Sequence, residues 1–123
     1  MRWPLAVIVV AVSARIAFAG EEYSKCVEDL FDDAVMEMSN VLPEAADCFY
    51  RFMEALDMKL IPKTTNIEEP KSRREAFLLG YFEVENSLLQ CPKSINKLIF
   101  HWKVTKILHP VLNQVDEKCT SLP

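Results

Sequence analysis

Between Glu22 and Val41 the apolar residues Tyr23, Cys26, Val27, Leu30, Phe31, Ala34, Val35 and Met38 recur at alternating steps of three and one. This is a single stripe on a 3.6-residue period, with Glu28, Asp29, Asp32, Asp33 and Glu37 largely opposite it. It predicts an amphipathic first helix from about Glu22 to Val41. A second helix opens with Pro43 in its first turn, where the missing N–H costs little, and turns Phe49, Phe52, Met53 and Leu56 inward. Pro62 predicts its end near Leu60. Residues Lys63 to Pro70 carry two threonines, an asparagine and a proline and read as the one long loop.

The third helix is expected from Ser72, whose pairing with Glu75 fits a capping box. Phe77, Tyr81, Val84, Leu88 and Cys91 step along it at helical spacing. Leu78, Leu79, Phe82 and Leu89 widen the stripe, so this helix is predicted to be the most buried. Cys91-Pro92 ends it. The fourth opens near Ser94 with Ile95, Leu98, Ile99 and Trp102 directed inward. Pro110 is expected to kink or split it, with Val111, Leu112, Val115 and Cys119 continuing the apolar line. Glycine occurs only at Gly20 and Gly80, too rarely for the tight turns of a β-domain. The predicted architecture is all-α: a small up-and-down bundle of about four helices in a single domain, residues 20–123.

The first nineteen residues have a different character. Arg2 precedes an apolar run from Trp3 to Val12, and Ala17-Phe18-Ala19 is a small-x-small cleavage site, with Ala14 as an alternative. A spanning helix needs about 20 apolar residues, and Arg15 interrupts this run too early. Residues 1–19 therefore read as a secretory signal peptide, and the protein as secreted and extracellular. Losing Arg2 and Arg15 moves the net charge from −4 to −6. An acidic domain excludes the basic footprint of a nucleic-acid binder. No later segment is apolar enough to span a membrane, and no Asn-x-Ser/Thr sequon is present.

Four cysteines in a short exported chain read as two disulfides, and three pairings are open. The bundle layout selects among them. Cys26 lies far before the first turn and Cys48 just after it, so the two sit roughly 10 Å or more apart along the axis. Cys26 and Cys119 share one end, Cys48 and Cys91 the other, and these are the expected pairs. No Cys-x-x-Cys motif supports a metal, and no cofactor is expected.

Chemistry is otherwise sparse. His101 and His109 lie in no catalytic motif, and cysteines held in disulfides are inert nucleophiles. The chain is expected not to be an enzyme. Lys93, Lys97 and His101 form a four-residue ladder joined by Lys103 and Lys106. This is a strip either for an acidic partner or for the acidic first helix, with the latter favoured. Lys71 to Arg74 form a second basic spot, equally readable as a solvated helix start. The aromatics Phe49, Phe52, Phe77, Tyr81, Phe82, Phe100 and Trp102 either line a ligand cavity or fill the core. Tyr50 and Phe100 fall off the stripes and are the candidate exposed anchors, with Lys93, Lys97, Lys103 and Lys106 beside them.

Two families share this layout. The run Cys48-Phe49-Tyr50-Arg51-Phe52 resembles the Cys-x-x-x-Cys helix of insect odorant-binding proteins, with Phe52 replacing the second cysteine. That resemblance implies a carrier of a small hydrophobic ligand. The signal, four helices and four cysteines together resemble the anophensin-type small secreted salivary proteins of mosquitoes. That resemblance implies a salivary inhibitor that binds a host plasma protein of the complement or kallikrein–kinin contact system, and it carries over no individual residue. A helical cytokine or hormone is a third reading that the architecture allows.

Overall fold

The computed structural model describes residues 20–123, and the expected signal peptide lies outside the described residues. Helix α1 spans Glu21–Val41. The next rod is composite: a 3-10 turn at Pro43–Ala45, α2 at Ala46–Ala55, a π-turn at Leu56–Leu60 and α3 at Ile61–Thr65. Helix α4 spans Pro70–Gln90 and α5 spans Lys97–Lys118. The four rods run up and down in sequence order, and no strand occurs among the described residues.

The disulfides are Cys26–Cys119 and Cys48–Cys91, as the bundle layout predicts. The first joins the start of α1 to the end of α5 and marks what we call the lower end. The second joins the start of α2 to the end of α4 at the upper end. They close sequence separations of 93 and 43 residues. In the chain-entropy model these constraints are worth about 4.7 and about 4 kcal/mol.

Aromatic rings fill the centre. Phe31 packs on Phe52, Phe77 and Tyr81, with ring centroids 5.8–6.2 Å apart. Phe49 stacks on Phe100 at 5.9 Å. The cluster expected either to line a cavity or to fill a core thus packs largely against itself, which is how a close-packed interior forms. Tyr81 is buried and its hydroxyl has no hydrogen-bond partner among the described residues. Burial, and secondarily the charge of the buried Glu85, push its phenol well above the ordinary tyrosine range.

Four boundaries differ from the sequence expectation. Pro62 does not end the second rod, because it falls in the first turn of α3, where it gives up little. A π-turn precedes it: the Ile61 N–H bonds to the Leu56 carbonyl, five residues back. The expected long loop shrinks to residues 66–69. Helix α4 starts at Pro70, not Ser72, and its cap is the Glu69 carboxylate, which accepts from the N–H groups of Lys71 and Ser72 at 3.1 and 2.7 Å. Helix α5 starts at Lys97, capped by the Asn96 side chain, and continues unsplit through Pro110.

The third helix is not the most buried. Its inward face is Arg73, Phe77, Tyr81, Glu85 and Leu88, while Leu79 and Phe82 face water. Two of its basic residues are not a loose basic spot. Arg73 is buried, its guanidinium lies 4.1 Å from the Tyr23 ring centre, and it donates to the carbonyls of Thr64, Thr65, Thr120 and Leu122. Arg74 pairs with Asp116. Tyr23 completes this lower latch by donating its hydroxyl to Thr64 Oγ1 at 2.7 Å and its N–H to the Pro123 carbonyl.

Candidate binding surface

Helix α5 carries apolar residues on two opposite sides. One line, Phe100, Val104, Leu108 and Val115, advances in steps of four, four and seven and is buried against the bundle. The other, Leu98, Ile99 and Trp102, lies on the outward arc and is 82%, 50% and 61% exposed. A surface helix normally presents polar residues there. Three large apolar side chains adjacent on one turn and a half form a surface that contact with another body would remove from water. Full burial of each such side chain is worth about 1.5–3 kcal/mol.

The charges along the stretch of chain that carries this face are all of one sign. From Asn86 to Val115 the chain has no Asp or Glu, while it carries Lys93, Lys97, Lys103 and Lys106 with His101 and His109. Lys106 folds back over Trp102, its Nζ 5.0 Å from the ring centre, one helical turn away. Lys103 is half-buried on the other flank of the apolar residues. None of these lysines forms an ion pair with the acidic first helix: the ion pairs among the described residues are Arg74–Asp116 and the longer His109–Glu85 contact at 4.0 Å. The expected neighbourhood of α1 and α5 is present, since the two helices pack along each other, but no direct ion pair joins the basic strip to α1 among the described residues.

The residues singled out from sequence separate. Tyr50 is exposed, as expected. Phe100 is fully buried under Phe49, so it is no surface anchor. It falls off a stripe that runs through Leu98, Ile99 and Trp102, and those are the exposed residues. Lys93 lies before α5 begins, so the ladder of Lys93, Lys97 and His101 does not form on one helix. Lys97 is exposed but stands three residues before Phe100, on the core-side line. Lys103 and Lys106 are the lysines on the outward arc. The missed anchors had a sequence signal. The spacing of Phe100, Val104, Leu108, Val115 and Cys119 is a complete helical stripe, and once it is taken as the core line the other apolar residues must point out.

No group of three or more His, Cys, Asp or Glu side chains is placed to hold a metal ion among the described residues. Nor is any helix there long and apolar enough to cross a membrane. Compared with known protein families, curated proteins and solved structures, the chain matches none.

Proposed function

We propose that this is a secreted, non-enzymatic binding protein that occupies the surface of an extracellular protein through the outward face of α5. The observation that carries the reading is the conjunction of Leu98, Ile99 and Trp102 in water with a stretch of 30 residues, 86–115, that carries four lysines and no Asp or Glu. A central tryptophan with flanking cations is the usual make-up of a protein contact whose energy is concentrated in a few side chains. The partner's complementary patch is apolar with an acidic rim. The salivary layout noted above suggests where to look first: host proteins of the complement or kallikrein–kinin contact cascades, which the chain would inhibit by occupancy.

If residues 1–19 are removed as a signal, Trp102 is the one remaining tryptophan, and its emission reports this face alone. Titrating purified plasma-cascade proteins into the refolded mature chain should shift Trp102 emission to the blue and saturate near one chain per target. The target should be recovered uncleaved. The on-rate should fall as salt rises and fall further in K103E/K106E. Turnover at sub-stoichiometric amounts, or binding unaltered by L98S/W102A, would remove this reading.

A further inference from the structure

A second surface feature, independent of the α5 face, lies where the composite rod meets α4. An open groove of about 560 Å³ runs there, its floor made by Phe52, Val84, Leu88 and the Cys48–Cys91 disulfide. That volume lies in the range of small-molecule sites. On the rod side its rim carries Arg51, Ala55 and Lys59. Their alignment is a product of the π-turn. Eight residues of undistorted α-helix would rotate Lys59 about 80° away from Arg51. One α-turn followed by one wider π-turn takes about eight residues, so Lys59 returns to the line of Arg51 and Ala55. The same extra residue turns Leu56, Leu60 and Ile61 into the core. The π-turn presses close to α4: a Cβ on Gly80 would collide with the Leu60 side chain.

The two cations are exposed, and neither has a carboxylate within ion-pair distance among the described residues. Across the groove α4 supplies one acid, Glu83, with the neutral Ser87 and Gln90 near the upper end. Cations therefore outnumber acids around a groove whose exposed lining is polar and apolar in about equal measure, in a chain that is acidic overall.

We propose that this groove binds a free amphiphile with a singly charged anionic head and a single apolar tail, of the chemical class of a medium-chain carboxylate. The Arg51 guanidinium, with Ser87 and Gln90, receives the head as a hydrogen-bonded ion pair. The tail lies on Phe52, Ala55 and Val84, and Lys59 supplies the second positive charge.

Calorimetric titration of dodecanoate, below its micelle concentration, into the oxidised mature chain tests this. One molecule should bind per chain. The exposed-residue variant R51E/K59E should lower dodecanoate affinity at least tenfold and raise that of dodecylammonium. Ser87→Trp, which fills the groove from an exposed position, should abolish binding of both. Circular dichroism verifies that each variant keeps its helices. L98S/W102A should bind dodecanoate normally, which separates this site from the α5 face. Non-saturating uptake, equal dodecanoate affinity in R51E/K59E, retained binding in S87W, or loss of binding in L98S/W102A would each overturn the assignment.

Discussion

At the lower end of the bundle a cation is buried, and at the upper half of α5 three large apolar side chains stand in water. Both invert the ordinary division of a small domain, but they do so with opposite bookkeeping. The Arg73 guanidinium leaves water only because four carbonyls and the face of Tyr23 replace its hydration. Around Leu98, Ile99 and Trp102 only the Lys106 side chain over the Trp102 ring and the flanking helix surface replace part of the water that they order. The first inversion is complete within the fold and needs no second molecule. The second is relieved only by contact with something else. A buried polar group with every partner present thus reads as architecture, and an exposed apolar group without one reads as an interface.

The contrast can be broken from its stable side first. Removing the lower disulfide in C26S/C119S should cost about 4.7 kcal/mol, and C48S/C91S about 4 kcal/mol, read from urea midpoints at constant slope. A larger loss from the upper pair would show that the lower end is held mainly by its hydrogen bonds. Next in size is Arg73→Met, which keeps the side-chain volume but strips donors from the carbonyls of Thr64, Thr65, Thr120 and Leu122. A loss of about 3 kcal/mol is expected, with Arg73→Lys recovering little because one ammonium nitrogen cannot span carbonyls that the guanidinium reaches from three separate nitrogens.

On the α5 face the expectation reverses. L98S/I99S/W102A should change unfolding free energy by no more than about 0.5 kcal/mol while abolishing partner binding. A substantial destabilisation would mean that these side chains serve the fold after all.

The smallest effect is electrostatic and depends on pH. Glu28 and Asp32 of α1 and Asp57 of the π-turn sit where partial burial, and then neighbouring carboxylates, raise their carboxyls above the usual range. Their ionised forms are penalised in the folded state, so the penalty is full at neutral pH and disappears below the ordinary carboxylate range. Asp57→Asn should raise the melting temperature at pH 7, and the gain should vanish by about pH 3. Glu69 has the opposite sign. The Ser72 hydroxyl, then the Ser72 and Lys71 N–H groups, lower its carboxyl. Its stabilisation is present above the ordinary carboxylate range and is lost as pH falls through the lowered folded value. Glu69→Gln should therefore lower the melting temperature at pH 7 and leave it unchanged at strongly acid pH.

The frame was legible in the residues because helical periodicity and cysteine placement are long-range patterns that agree with each other. The first stripe, from Tyr23 to Met38, coincides with the buried face of α1, and matched bundle ends were enough to pair the cysteines. What failed was local. Pro62 reads as a stop only if the rod is a plain α-helix, and a π-turn has no signature in apolar spacing. Ser72 with Glu75 resembles a capping box, yet Glu69 three residues earlier caps instead, ahead of a proline already fixed in helical φ. On α5 the apolar residues are numerous enough to draw two stripes. Packing against Phe49 chooses the one through Phe100, which left Trp102 to be found only in three dimensions. Arg73 was equally hidden, since nothing in the run Lys71 to Arg74 says which member turns inward.

The meeting of residues 20 and 123 at one pole has a mechanical consequence. Tyr23 and Pro123 share a backbone hydrogen bond of 3.1 Å, and Cys26–Cys119 lies immediately inside it. Tension applied between these two ends would run through a short covalent bridge and never reach the helices between the two cysteines. A chain held at residues 20 and 123 would extend by only the few residues between those points and the bridge, with the groove and the α5 face unloaded at forces that tear non-covalent bundles apart. Reducing that one bond would move the whole load onto the aromatic core.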